Sequence, residues 1–330
     1  MRQRDHFKQR LKTTSLAVCF FLMSVCVSWA QSSDFRVGVL TPGGRLNAVV
    51  DGLREGLDHL GYTQRKNLTF VIEDTKGEVT DLVSRAQKIL ETKPDVVFTV
   101  TTLPAVAAKQ ATTTVPVVFA WVADPIGSGL AAAYASSKNN LTGVSSYAGP
   151  LSGKRLEILK EIAPGIKRVL ALVDPNDAAS QIAFKFLEES ATKLRVKVVR
   201  RDVTNRQEVE KALQATARGS VDAIYFVQSI IIGAQLDLLL KKSKEDKLPL
   251  AGSEAAWVER GALLTYAADF RLIGAQAARI VAKVLKGEKP SDIPIETPEK
   301  FVLTVNLTAA KAMGLKIPRS VLERVDRVVE

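Results

Sequence analysis

Three groups of residues in this sequence have types and spacings that could carry chemistry. Asp174 and Asp177 stand three apart in "VDPNDAAS", close enough for two carboxylates to share acid–base work. The same stretch also reads as a turn leading into a helix cap. His59 would be the base of any Ser-His-Asp mechanism, but in "LREGLDHLGY" it sits one turn from an expected helix end, where histidine serves as a surface or capping residue. No Gly-x-Ser-x-Gly elbow accompanies it. Gly127-Ser128-Gly129, after the apolar run "VPVVFAWVA", has the look of a dinucleotide loop. That fingerprint belongs on the first strand-to-helix turn, with an acid about twenty residues on. Here the loop follows a fourth strand, and the next acid is Glu157. "GPLSGKR" fails as a phosphate loop, with three residues between its glycines and Arg155 where a magnesium-binding hydroxyl belongs. What remains is a flexible turn beside Asp124 that lets backbone approach a small ligand or a neighbouring lobe.

Cysteine and metal chemistry are excluded by position. "MRQRDHFKQRLK" is a basic head, "TTSLAVCFFLMSVCV" an apolar run short for a membrane span, and Ser28-Trp29-Ala30 a small-residue cleavage site. Residues 1–30 therefore read as a cleaved export signal, and a periplasmic location is expected. Cys19 and Cys26 both follow Val, where a lipid-anchored signal needs a small residue. Both cysteines lie in this segment and only His59 remains beyond it, so no disulfide, thiol or Cys/His metal site is expected. Removing five basic side chains and one acid takes the net charge from +11 to about +7. The basic residues are scattered along helical faces such as "LLLKKSKEDK", without the clustering a nucleic-acid surface needs.

The elements that must position any site follow from periodicity. Short β-branched runs ("FRVGVLT", "NLTFVIED", "DVVFTVTT", "VPVVFAWVA") alternate with amphipathic helices, and the rhythm repeats from "SGKRLEILKEIAP" through "KRVLALVD", "VKVVRRDVT", "VDAIYFVQ" and "LPLAGS". About 300 residues exceed what one core serves, so two doubly wound parallel-sheet lobes of an α/β fold are expected. Ligands bind outside the carboxyl ends of such strands. The candidates are Thr41, Thr101, Thr102 and Asp124 in the first lobe, and Asp174, Asn176, Ser229 and the segment from Ser253 to Trp257 in the second. Each is also a residue type that helix starts require. No Arg or Lys is placed after a strand end so as to demand an anionic ligand.

"VADPIGSGLAAAYASSKNNLTGVSSYAGPLSGKRLEILKEIAPGIKRVLALVDPND" and the tail "LKGEKPSDIPIETPEKFVLTVNLTAAKAMGLKIPRSVLERVDRVVE" carry a family resemblance. From about Arg36 to Glu330 the chain is similar to ABC-transporter substrate-binding proteins whose better understood members resemble receptors for tryptophan and related aromatic amino acids. "LLTYAADFRLIGAQAARIVAKVLKG" also resembles the late stretch of sugar-responsive repressors of the same fold. The resemblance implies a type I periplasmic binding-protein fold with an interlobe cleft. It places 31–148 and 267–290 in the first lobe, 149–266 and 291–330 in the second, and Tyr266 to Asp269 at the hinge. It further implies a monomeric, non-enzymatic binder without cofactor, working with a membrane permease and ATPase, or alternatively a sensory module that signals to a membrane receptor. For an amino-acid ligand, Asp124 and Asp269 are the ammonium acceptors, Thr101 and Thr102 the carboxylate donors, and Trp121, Tyr147, Trp257 and Tyr266 the available walls. Asp269 has an alternative role as cap of the helix beginning at Phe270.

Overall fold

The computed structural model describes residues 34–330, so the expected export signal lies outside the described residues. The first sheet comprises β1 (Phe35–Thr41), β2 (Leu68–Asp74), β3 (Val96–Val100), β4 (Val117–Val122) and β5 (Leu141–Ser145) in the order β2-β1-β3-β4-β5. Every neighbouring pair in it is parallel. β3, β4 and β5 are buried along their whole length because helices cover both faces, which is why β3 and β4 read as near-continuous apolar runs and not as alternating ones. The helices α1 (Asn47–His59), α2 (Leu82–Glu91) and α3 (Thr102–Ala111) connect these strands. α1 buries Val49, Val50, Leu53 and Leu57, a stripe at helical spacing.

The chain enters the second lobe through α4 (Ala148–Ile162). There β6 (Arg168–Val173), β7 (Lys197–Asp202), β8 (Ala223–Phe226), β9 (Leu250–Gly252), β10 (Leu264–Ala268), β11 (Phe301–Asn306) and β12 (Arg327–Val329) form a seven-stranded sheet ordered β12-β11-β10-β9-β8-β6-β7. Only β10 and β11 pair antiparallel; the rest are parallel. Its main helices are α5 (Ala178–Leu194), α6 (Arg206–Gln214) and α7 (Leu236–Asp246). The fold is thus two doubly wound α/β lobes, with strands and helices alternating in each as the periodicity requires.

Three crossings join the lobes. The first runs through Ser146 and Tyr147, between β5 and α4. The second follows β10, where α8 (Phe270–Leu285) returns to the first lobe and contributes Ile273, Ala277, Ala278, Ile280 and Val281 to the same core as Val37, Val49 and Phe98. The third lies later than position 291. Ile293 and Ile295 are buried in first-lobe cores, and Glu296 forms a parallel bridge with Val144, so the chain leaves that lobe only between Thr297 and Phe301. The second crossing follows Ala268, where β10 ends against β11, within the expected hinge from Tyr266 to Asp269. Tyr147 stacks on Phe301 at 6.0 Å, and Tyr266 lies 5.7 Å from the same ring, so one aromatic cluster includes residues from or beside all three crossings.

Candidate functional site

The carboxyl ends of both sheets face a continuous cleft whose sections share lining residues. Its central section is bounded by Arg45, Leu46, Thr101, Thr102, Leu103 and Trp121 from the first lobe and by Asp177, Phe226, Gln228, Ser229, Ser253 and Glu254, among others, from the second. Thr102 and Ala179 continue into a neighbouring section that contains Asp124, and Arg45 and Glu254 continue into a section on the other side that contains Asp269.

First-lobe side chains reach the cleft through unusual backbone. Trp121 occupies a bulge in β4, where the register with β5 shifts between Ala120 and Val122; its φ of 61° is left-handed. Its ring meets Phe270 edge-on at 4.5 Å. Thr101, with φ 75°, precedes α3, and its buried Oγ1 has no hydrogen-bond partner. Non-glycine residues in such backbone cost about 1–3 kcal/mol each and concentrate at binding sites. After β1, Gly43 adopts φ 75°, and a Cβ there would stand 2.0 Å from an Asp74 oxygen, so only glycine lets this turn carry Arg45 over the cleft. Arg45 Nε lies 2.7 Å from Glu254 Oε2, the one ion pair that joins the lobes among the described residues.

In the second lobe, Asp177 caps α5 by accepting a hydrogen bond from the Ala179 N–H at 2.9 Å. Burial, reinforced by the neighbouring Asp174 charge, pushes its carboxyl up to about 6. Burial also raises Glu254, with the Arg45 guanidinium opposing it. Ser229 caps the one-turn helix Ile230–Gly233, accepting from the Ile232 N–H at 3.4 Å. Behind them Arg155, buried in α4, and Thr265 Oγ1 both donate to the Gly252 carbonyl at 3.4 and 3.0 Å, fixing the end of β9 that leads to Ser253 and Glu254.

Of the residues expected from sequence, Thr101, Thr102 and Ser229 line the central section, and Asp124 lines the adjoining one. Asp124 Oδ1 accepts from the Ile126 and Gly127 N–H groups at 3.1 and 2.9 Å, and a Cβ on Gly127 would stand 2.2 Å from its Oδ2. The Gly-Ser-Gly stretch therefore serves Asp124 and not a phosphate. Asp269 accepts from Arg271 and Leu272 N–H groups as the cap of α8 and lies outside the central section. Four other residues line none of these sections. Thr41 is buried and accepts from the Gly43 N–H; Asn176 is exposed. Trp257 is turned into the second-lobe core 4.4 Å from Phe226, and Tyr266 packs on Phe301. Arg45, four residues past β1 and behind two glycines, was not among the candidates; its charge is met by Glu254, so it does not by itself demand an anionic ligand. Gln228 was also missed, although it stands directly before Ser229 and close behind β8.

Comparison with known proteins agrees with this architecture. The family described as ABC transporter substrate binding protein matches residues 36–329. A protein called Tyrosine-binding protein from Clostridioides difficile (strain R20291) is 26% identical over 286 residues, covering 87% of this chain and 82% of that one. An ABC domain in complex with L-Trp from Streptococcus pneumonia superposes with a TM-score of 0.84 at 25% identity, covering 90% of this chain and 100% of that chain. The ligand-free, open structure of a substrate binding protein with adhesive properties from Clostridium difficile, also 25% identical, superposes with a TM-score of 0.71 over 89% of this chain and 99% of that chain.

Proposed function

From the premise that this chain belongs to the ABC transporter substrate binding protein family, we propose that it captures an aromatic α-amino acid between its lobes and presents it to a membrane importer. The observation that carries this reading is the central section itself, where opposite lobes supply complementary groups for a zwitterion. Asp177, from the second lobe, receives the ammonium. Thr101 and Thr102, with the free N–H groups at the start of α3, receive the carboxylate; the unpartnered Thr101 hydroxyl gains the hydrogen bond it lacks. Trp121, Phe226 and Leu46 flank the side chain. The names of the two relatives, one tyrosine-binding and one solved with L-Trp, support an aromatic ligand.

Such a ligand touches both lobes only when they are closed, so binding shifts the open–closed equilibrium toward the closed state. Closer superposition on the L-Trp complex than on the open structure supports this hinge mechanism. Export by residues 1–30 and partnership with a permease and ATPase complete the reading, motivated by the basic head, the apolar run and the family. The test is calorimetric titration of the protein lacking residues 1–30 with L-tyrosine and L-tryptophan. Saturable binding of one molecule per chain is expected for at least one of them; absence of binding by both would sink the proposal.

A further inference from the structure

We propose that Glu254 reads the far end of the ligand side chain and selects an aromatic amino acid that carries a hydrogen-bond donor there, a phenol; this rests on the amino-acid reading above. Asp177 and Glu254 follow β6 and β9, and β8 alone lies between those strands. Two inter-strand spacings put the strand ends that lead to the two carboxylates about 10 Å apart. That is the scale of an extended aromatic amino acid from its ammonium to the para position of its ring, with a hydrogen bond at each end. The groups also occupy opposite ends of the central section. Asp177 lies toward the Asp124 side, next to Ala178 and Ala179; Glu254 is shared with the section on the Asp269 side. Phe226 and Trp121 line the space between.

The chemistry at the Glu254 end is specific. Its Oε2 is buried beside Arg45 Nε at 2.7 Å without a well-aligned hydrogen bond, so its acceptor capacity is incompletely met before ligand arrives. The pair has opposite charges side by side. A ligand ending in an ammonium meets Arg45, and one ending in a carboxylate meets Glu254, so both ionic tips are disfavoured and a neutral donor fits. A plain phenyl ring leaves Oε2 unsatisfied inside a closed cleft, the circumstance in which discrimination against an analogue lacking the hydroxyl is largest. Arg155 and Thr265 tether the Gly252 carbonyl and so fix the backbone that leads to Glu254.

The experiment is titration of the unmodified protein and of Glu254→Met with L-tyrosine, L-phenylalanine and O-methyl-L-tyrosine, which keeps the ring oxygen but has no O–H to donate. The unmodified protein is expected to bind L-tyrosine at least about tenfold more tightly than either analogue. In Glu254→Met the preference for L-tyrosine over the two analogues collapses toward unity. Equal binding of L-tyrosine and L-phenylalanine by the unmodified protein overturns the proposal, and this comparison needs no variant to fold. Retention of the preference in Glu254→Met, or equal binding of L-tyrosine and its O-methyl ether, also overturns it. If L-phenylalanine binds well and L-tyrosine no better, the amino-acid reading stands and only this inference falls. If none of the three binds, the inference falls with the reading it rests on.

Discussion

Asp177→Asn is expected to weaken amino-acid binding by about 2–5 kcal/mol, the range for removing one partner of a buried charge pair. Asn keeps the shape and caps a helix nearly as well as Asp, so α5 should stay capped, and losing a carboxylate held ionised against burial should hold or raise the unliganded melting temperature at neutral pH. Asp269→Asn is the matched control. It makes the same chemical change at another helix cap, outside the central section, and should leave affinity unaltered. Calorimetric titration of both variants separates the readings: equal affinity in Asp177→Asn would remove that residue from the site, and a large loss in Asp269→Asn would move the ammonium to the α8 cap. The pH dependence has a definite sign. The Asp177 carboxyl is raised from 3.8 to about 6, so without ligand its contribution to stability is fully present below about 4 and is lost as pH rises through about 6. A bound ammonium favours the ionised form, so binding should release protons near pH 6. Below that pH, affinity should fall by up to about tenfold per unit, with a plateau above it.

Gly274→Val is expected to give the largest loss of stability. α1 and α8 cross with their backbones in contact: a Cβ on Gly274 would lie 2.0 Å from the Val49 carbonyl oxygen and 2.8 Å from the Leu53 nitrogen. On the facing helix, a Cβ on Gly52 would lie 2.0 Å from the Arg271 carbonyl oxygen. Those atoms belong to helix backbone and cannot swing aside as a flexible side chain would. The helices must separate, opening the core that holds Ile273 and Leu53. The cost should reach or exceed the upper end of about 1–3 kcal/mol seen for overpacked cores. At that size the melting temperature should drop by roughly 5 °C or more, followed by circular dichroism. A variant that melts within about a degree of the unmodified protein would show that the crossing can relax.

Much of this architecture is legible in the sequence because parallel strands covered on both faces must be continuously apolar, and their helices must carry an apolar stripe. β5 escaped that signal because Gly143 interrupts a five-residue strand. The glycine is required there, since a Cβ would stand 2.0 Å from the Phe119 carbonyl oxygen. β12 is three residues long with two exposed, so it has no hydrophobic pattern to read. The third crossing was set at 291 by the family resemblance alone, whereas Ile293 and Ile295 keep the chain on the first lobe for several residues more.

At the site, the rule that ligands gather beyond strand ends located Thr101, Thr102 and Ser229, but it could not say which way a side chain turns. Trp257 lies close behind β9 yet faces inward onto Phe226. Asp177 was visible only as a carboxylate three residues from Asp174. Its burial near Thr101 and Trp121 depends on the opposite lobe, which local sequence does not encode. Arg45 was overlooked for the same reason, because its partner Glu254 lies more than two hundred residues away.

Capture by closure is the central claim, and small-angle X-ray scattering of the protein lacking residues 1–30 tests it most directly, measured with and without a saturating amino acid whose binding has been established by titration. The radius of gyration is expected to decrease on saturation, with the liganded curve matching the closed arrangement in which Arg45 meets Glu254 across the cleft. An unchanged radius of gyration at full saturation would contradict ligand capture by hinge closure.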